Sequence, residues 1–258
     1  MSKITEFATI TEKEELAAGI FSMWISTKAA ESAVPGQFVS LYCQDHSRLL
    51  PRPISICEID RENSSLHLVY RVVGKGTEEF SHYQVGDEIK VVGPLGNGFP
   101  LEGKNPIVIG GGIGVPPMLQ LSKELHNKLK AEPTIVLGYR NQDLFLKESF
   151  DYHGEVNIAT DDGSVGVHGT VVDLMEQKEI TGDVIYACGP KPMLAAVKAY
   201  ALKKGIKCYV SMEERMACGI GACLGCVCKT KNVDEHSKVH NARICKDGPV
   251  FLAEEVEL

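Results

Sequence analysis

The sequence has 258 residues, a formal net charge of −7 and 44% hydrophobic residues. This length suffices for two sizeable domains and a small module, while the acidic balance without basic clusters argues against nucleic-acid binding. The N-terminus shows no secretory signal pattern, and no apolar run is long enough to span a membrane. Five of the nine cysteines lie between Cys218 and Cys245, which argues against a disulfide framework. We therefore expect a reduced, cytoplasmic protein without a membrane segment.

The N-terminal third contains short apolar runs separated by turn sequences such as Pro35-Gly36. The runs are 4–10, 20–27, 37–43, 54–59, 66–73 and 88–92. Several of them alternate apolar and polar residues, as strands with one buried face do. Six short strands at this spacing predict a small antiparallel β-barrel, to which we assign residues 1–101.

Two short sequences within this barrel have the composition of a diphosphate site. They are Arg52, Pro53, Ile54 and Ser55 at the opening of the fourth strand, and Tyr70, Arg71, Val72, Gly74, Gly76 and Thr77 at the end of the fifth. A short helix is predicted to begin near Thr77, so its free N–H groups and two arginines suit an anion. Taken singly, these two sequences are more typical of a surface arginine and of an ordinary strand-to-helix turn than of a cofactor site.

From residue 106 onward, apolar runs alternate with helical patterns. The predicted strands are 106–109, 134–138, 156–160, 184–187 and 207–212, and the predicted helices are 116–130, 142–150, 171–177 and 192–204. Continuous apolar strands with intervening helices predict a doubly wound parallel sheet, to which we assign residues 102–207. A ligand is expected at the carboxyl ends of its strands.

Glycine-rich turns follow two of these strands. They contain Gly110, Gly111, Gly112 and Gly114 after the first strand, and Cys188, Gly189 and Pro190 after the fourth. The dinucleotide fingerprint G-x-G-x-x-G fails because Val115 occupies the place of its last glycine, so the first turn alone could be structural. Arg140 ends the second strand, where an arginine could meet a 2′-phosphate, and the choice between NAD and NADP stays open.

The C-terminal residues 208–258 contain a cysteine motif. Cys218, Cys223 and Cys226 follow the pattern C-x4-C-x2-C, and Cys245 lies 19 positions beyond Cys226. This is the spacing of a plant-type [2Fe–2S] site. Zinc also binds four cysteines, though usually through two paired knuckles, and a redox thiol site is a third alternative. Cys228 is a fifth cysteine that competes with Cys226, and residues 229–242 show no readable periodicity.

Together these motifs resemble the ferredoxin-reductase superfamily, and their order resembles the electron-transfer subunit of class 1B dihydroorotate dehydrogenase. The resemblance is carried by the R-P-x-S strand, by G-G-G-I-G-x-x-P and C-G-P-x-P-M, and by residues 216–223 and 245–251. It implies that the barrel residues above bind FAD and that the four cysteines hold a [2Fe–2S] cluster. It further implies that the first glycine turn lies against the NAD diphosphate and the C-G-P turn near the nicotinamide.

In that family the subunit pairs with an FMN-containing catalytic subunit, two of each in a heterotetramer. Electrons pass from dihydroorotate through FMN, the cluster and FAD to NAD+ in pyrimidine biosynthesis. The resemblance therefore implies an NAD-linked oxidoreductase subunit whose cofactors carry the reaction, with no catalytic acid or base of its own. Two alternatives remain: a reductase subunit of a ferredoxin-dependent or hydrogenase-type complex, and a zinc-stabilised adaptor without enzymatic activity.

Overall fold

The computed structural model describes residues 3–233 and 238–258. Its N-terminal part is a closed antiparallel barrel with the strand order β1-β2-β5-β4-β3-β6, which confirms the predicted barrel. The strands are β1 (Ile4–Ala17), β2 (Ile20–Ser26), β3 (Phe38–Tyr42), β4 (Arg52–Asp60), β5 (Ser65–Arg71) and β6 (Glu88–Leu95). β1 continues past its predicted end because residues 12–17 keep pairing with β2.

Helix α1 (Lys75–His82) covers one end of the barrel. Phe80 packs edge-on against Tyr70, with 6.1 Å between ring centroids. The helix begins before its predicted start near Thr77, with Gly74 as its N-cap. Glycine has no side chain to cap the helix, and the Thr77 hydroxyl instead accepts hydrogen bonds from the backbone N–H groups of Val73 and Gly74.

The second sheet has seven strands in the order β10-β9-β8-β7-β11-β12-β15. Its strands are β7 (Pro106–Gly111), β8 (Thr134–Tyr139), β9 (Glu155–Thr160), β10 (Val167–His168), β11 (Val184–Cys188), β12 (Lys207–Ser211) and β15 (Val250–Leu252), and a separate hairpin consists of β13 (Val227–Lys229) and β14 (Asn241–Arg243). All pairings in the large sheet are parallel except that of β15 with β12. The five predicted strands are therefore present, and β10 and β15 were not predicted.

Four helices accompany this sheet. They are α2 (Pro116–Leu129), α3 (Lys147–Phe150), α4 (Val171–Gln177) and α5 (Lys191–Lys204). Helix α2 packs in one hydrophobic core and helices α4 and α5 in another, as a doubly wound sheet requires. Helix α3 is shorter than predicted, because residues 142–146 are irregular and end in a turn. Within the described residues, no helix is both long and apolar enough to cross a membrane.

The direction of strand addition reverses between β7 and β11. From β7 the chain adds β8, β9 and β10 on one side, and it then crosses to the other side to add β11. Ligands of open α/β sheets bind at the carboxyl ends of the strands at such a reversal. Both predicted glycine turns lie at this point.

The C-terminal segment joins the barrel to the large sheet. β15 pairs with β12, so residues near the C-terminus return to the sheet edge. The backbone N–H of Asn97, just after the barrel, donates to the carbonyl of Gly248 at 2.6 Å. The predicted boundary at residue 207 coincides with the start of β12; the three domain limits themselves stay predictions.

A second contact joins the barrel to α2. Glu58 of β4 accepts a hydrogen bond from Lys123 of α2 and contacts Nδ1 of His67 at 3.0 Å. Burial by itself would raise the pKa of Glu58, but the hydrogen bonds from His67 and Lys123 and the charge of Lys123 lower it to about 2. The ring of His67 stacks on Trp24. This network holds the barrel against the second sheet.

Candidate functional site

The side chain of Arg52 lies directly over Gly76 at the start of α1. A Cβ added to Gly76 would lie 1.9 Å from Nε and 2.6 Å from Nη2 of Arg52, so a side chain at this position would displace the guanidinium. The guanidinium also donates to the carbonyl of Leu50. A fixed positive charge thus lies beside the free N–H groups of a helix N-terminus, which together favour a bound phosphate.

Tyr70 supplies a buried donor close to this point in the chain. Its side chain is 2% exposed, and its hydroxyl has no hydrogen-bond partner among the described residues. Burial raises the pKa of Tyr70, so the hydroxyl keeps its proton. A buried hydroxyl without a partner is destabilising unless a ligand satisfies it, so this residue fits a bound cofactor.

The remaining predicted residues of the barrel site lie beside these two. In the pairing of β3 with β4, Pro53 lies opposite Ser40 and Ser55 opposite Phe38. Ile54 faces the other way and is buried in the barrel core. The Thr77 hydroxyl makes its hydrogen bonds within the turn before α1, where it also donates to the carbonyl of Gly74 at 3.0 Å. Thr77 therefore orders the turn that presents the helix N-terminus.

The two glycine turns of the large sheet are in direct contact. A Cβ on Gly114 would lie 2.4 Å from the carbonyl oxygen of Cys188 and 2.6 Å from the backbone nitrogen of Gly189. A Cβ on Gly111 would lie 2.2 Å from the sulfur of Met193. A side chain is therefore excluded at Gly114, and one at Gly111 would require Met193 to move, so backbone lines the contact between the carboxyl ends of β7 and β11.

Arg71 extends from the barrel to the first of these turns. Its Nη2 atom is 3.5 Å from the position that a Cβ on Gly112 would take. Gly112 has φ +53°, a left-handed conformation that favours glycine. The sequence assigned Arg71 to the flavin residues alone, whereas its guanidinium lies where the barrel meets the second sheet.

Cys188 is a neutral thiol beside these turns. Burial raises its pKa to about 12, and a hydrogen bond with Ser211 of the neighbouring strand only partly opposes this. The thiol therefore adds no negative charge at the edge where a dinucleotide is expected.

The four predicted cysteine ligands form two pairs. The N–H of Ala222 donates to Sγ of Cys218 at 3.3 Å, and Cys218 also shares a hydrogen bond with Cys223. The N–H of Cys245 donates to Sγ of Cys226 at 3.4 Å. Burial opposes ionisation of Cys218, but backbone N–H groups and the Cys223 side chain lower its pKa. Burial and the neighbouring Cys226 raise the pKa of Cys245.

This pairing fits two metal ions better than one. Four thiolates around one zinc, each about 2.3 Å from the metal, would lie only about 3.8 Å apart. Across residues 3–233 and 238–258, no three cysteine sulfurs lie within 4.8 Å of one another. Two pairs held by backbone N–H groups instead suit a two-iron cluster. Cys228 lies in β13 opposite Ala242, with its side chain in the hydrophobic core.

The cysteine loop, residues 218–226, is held by contacts that the sequence did not reveal. Gly219 has φ +67°, and a Cβ there would lie 2.8 Å from Oγ of Ser40 on the barrel. The buried Arg243 donates to the carbonyl of Gly221 at 3.2 Å and pairs with Asp247 at 3.0 Å. In the sequence, only its position two residues before Cys245 could have indicated that Arg243 holds this loop.

Two family models match the chain. Residues 213–257 match the iron-sulfur cluster binding domain of dihydroorotate dehydrogenase B, and residues 108–199 match the oxidoreductase NAD-binding domain. These matches cover the cysteine loop and most of the large sheet. They agree with the predicted [2Fe–2S] cluster and NAD.

Curated relatives match nearly the full length. The chain is 44% identical to the dihydroorotate dehydrogenase B (NAD(+)) electron transfer subunit of Listeria welshimeri, over 96% of this chain and 97% of that one. It is 41% identical to the protein of the same name from Bacillus caldolyticus, over 98% of each chain.

Solved structures share the fold. The structure of an NADH-dependent reduced ferredoxin-NADP oxidoreductase, described in terms of flavin-based electron bifurcation, has a TM-score of 0.86 at 30% identity, covering 97% of this chain and 89% of that one. The ferredoxin reductase in carbazole 1,9a-dioxygenase has a TM-score of 0.70 at 20% identity, covering 80% of this chain and 67% of that one, and supports the fold alone. From the extent and identity of the curated matches, the chain belongs to the family of electron transfer subunits of dihydroorotate dehydrogenase B.

Proposed function

We propose that this chain passes electrons from an FMN-containing dihydroorotate dehydrogenase catalytic subunit to NAD+ in pyrimidine biosynthesis. The observation that carries the proposal is the 44% identity to a named electron transfer subunit over 97% of that protein. Two contacts between the regions support it. Arg71 of the barrel reaches Gly112 in the first glycine turn, and Ser40 of the barrel lies against Gly219 in the cysteine loop. Electron transfer between cofactors needs such proximity.

Arg52 and the N-terminus of α1 would bind the FAD diphosphate. Gly76 allows the guanidinium to lie over the helix start, and Thr77 fixes the turn that contains Gly74. The unpartnered hydroxyl of Tyr70 would donate to the flavin cofactor, and Pro53 and Ser55 would contact it along β4. FAD exchanges two electrons with a nicotinamide and single electrons with a cluster, which is why it belongs between them.

The bare backbone at Gly110, Gly111, Gly112 and Gly114 would let the NAD diphosphate approach closely. Cys188, Gly189 and Pro190 form the adjoining wall at the reversal of strand order. Arg71 would supply positive charge between the two diphosphates. Because the Cys188 thiol is not ionised, it does not repel the negatively charged phosphates of a ligand at this edge.

Cys218 with Cys223 would bind one iron of the cluster, and Cys226 with Cys245 the other. The N–H groups of Ala222 and Cys245 would stabilise the thiolates. Cys228 would remain a core thiol. A [2Fe–2S] cluster transfers one electron at a time, so the cysteine loop is the expected exit toward a partner subunit.

The test is reconstitution with purified components. The chain should contain FAD and two irons, reduce artificial dyes with NADH, and show no dihydroorotate-dependent activity alone. Adding the FMN-containing subunit should create dihydroorotate:NAD+ activity in a complex whose mass corresponds to two of each chain. A Cys226→Ser control should keep NADH-driven dye reduction by FAD but lose coupling to the partner. Dihydroorotate turnover by the chain alone would contradict the subunit assignment.

One alternative has a specific observation behind it. The solved oxidoreductase that is 30% identical over 97% of this chain is described as acting with reduced ferredoxin and NADP. If the catalytic subunit adds no activity while reduced ferredoxin reduces the bound FAD, a ferredoxin-linked reductase becomes the better assignment. A protein with zinc and no visible absorption would instead be the adaptor.

We also propose a cytoplasmic location. All nine cysteines, which lie within the described residues, are free thiols, as a reducing compartment favours. Recovery of the native protein in a membrane or periplasmic fraction would contradict this proposal.

A further inference from the structure

Ser40 is a buried serine without an evident structural task. It lies in β3, opposite Pro53 of β4 and Val92 of β6. Val39 and Leu41 fill the barrel core, so the alternation of a strand directs Ser40 to the outer face of the barrel. The residue is 1% exposed, and its hydroxyl has no hydrogen-bond partner in the described part of the chain. Such a hydroxyl is destabilising unless a group outside the polypeptide accepts a hydrogen bond from it.

The hydroxyl of Ser40 faces the cysteine loop. Its Oγ is 2.8 Å from the position that a Cβ on Gly219 would take, and the side chain of Leu95 lies on the same side of Gly219. Gly219 also has φ +67°, so the loop needs glycine both for its conformation and for this contact. The adjacent Cys218 is one of the predicted ligands.

We propose that Ser40 donates a hydrogen bond to a sulfur of the [2Fe–2S] cluster and thereby raises the reduction potential of the cluster. This inference rests on the proposed function. Hydrogen bonds to the sulfurs favour the reduced, more negative state, and they are one of the determinants of cluster potential. Backbone N–H groups supply such donors within the loop, as Ala222 does to Cys218. Ser40 supplies a further donor from the flavin barrel, so it contacts the cluster directly and connects the two redox modules.

A flavin atom is the other acceptor that this donor chemistry would suit, and the experiment separates the two. The full chain, loaded with FAD and cluster, is titrated anaerobically in the wild-type, Ser40→Ala and Ser40→Thr forms. EPR reports the reduced cluster and visible absorption the flavin. The matched control is Ser122→Ala, which removes another buried serine hydroxyl, one that donates to the carbonyl of Met118 in α2.

In Ser40→Ala, we expect the reduced-to-oxidised ratio of the cluster at a fixed ambient potential to fall about 3- to 10-fold, the size of one hydrogen bond. Ser40→Thr keeps a hydroxyl and should restore the ratio, and Ser122→Ala should match wild type. The flavin potential should stay constant in all three. An unchanged cluster ratio in Ser40→Ala, or a shift confined to the flavin, would overturn the proposal.

Pulsed EPR in D2O provides a readout that does not depend on the potential. The reduced wild-type cluster should show coupling to one more exchangeable deuteron than Ser40→Ala, and Ser40→Thr should show the wild-type number. If Ser40→Ala retains no iron, equal deuteron coupling in a cluster-containing Ser40→Val variant, which has no exchangeable side-chain hydrogen, would still overturn the proposal. A wild-type chain without any [2Fe–2S] signal would refute the proposed function itself, whereas normal clusters in unaffected variants would refute only the role of Ser40.

Discussion

The guanidinium of Arg52 occupies the space that a side chain on Gly76 would need. Nε of Arg52 lies 1.9 Å from the position of a Gly76 Cβ, and the contact brings β4 against the first turn of α1. The two residues are 24 positions apart in the sequence. Because the two residues are in contact, we expect the arginine and the helix N-terminus to bind an anion together.

Arg52→Ala should weaken FAD binding ten- to a hundredfold, about 1.5–3 kcal/mol for one charge-assisted interaction. Gly76→Ala should give a similar loss, because its Cβ displaces the guanidinium while leaving the charge in the chain. FAD content after dialysis measures both. The control is Arg61→Ala, whose side chain donates to the carbonyl of Ala33 elsewhere on the barrel. Full flavin retention in both Arg52→Ala and Gly76→Ala would remove Arg52 from the site.

Cys226→Ser should abolish the cluster, whereas Cys228→Ser should retain two irons per chain. The sulfur of Cys226 accepts the N–H of Cys245, while Cys228 lies opposite Ala242 in the β13–β14 ladder. Iron content and the visible spectrum of each variant measure the outcome. The opposite result, with iron retained in Cys226→Ser and lost in Cys228→Ser, would show that the ligand is Cys228.

Gly112→Val should slow NADH-driven reduction of FAD at low NADH without changing the flavin spectrum. A side chain there would block close approach of a diphosphate to the backbone. Gly205→Val is the matched control, because Gly205 ends α5 with a similar φ of +66° and has no atom within 4 Å of its Cβ position. Both variants carry the same backbone strain, so equal NADH kinetics in the two would place the nucleotide elsewhere.

Glu58→Gln should destabilise the protein by about 3 kcal/mol at pH 7. The folded pKa of Glu58 is lowered from 4.5 to about 2, so the ionised carboxylate contributes stability above pH 4.5. This contribution is lost as the pH falls from 4.5 toward 2, where wild type and variant should converge. Urea unfolding across this pH range measures the difference. Glu176→Gln, which removes an exposed partner of Lys203, should have little effect at any pH.

Local patterns in the sequence determined the kinds of parts that this protein contains. The spacing of Cys218, Cys223, Cys226 and Cys245 indicated a two-iron site, and the glycines after β7 and β11 marked the ends of two parallel strands. Strand alternation predicted the barrel. These signals can be read from sequence because ligand spacing, turn conformation and side-chain periodicity all act over a few residues.

Tertiary structure decided how the parts meet. Only the fold brings Ser40 against Gly219 and Arg71 to Gly112. It also places β15 at the edge of the large sheet, beside β12, which ends about 40 residues earlier in the sequence. The fold also gives Cys226 and Cys228, two residues apart, different neighbours: the sulfur of Cys226 accepts the N–H of Cys245, whereas Cys228 pairs with Ala242 in the β13–β14 ladder. Such relationships join residues that are distant in sequence and depend on packing between whole elements, so no local pattern encodes them.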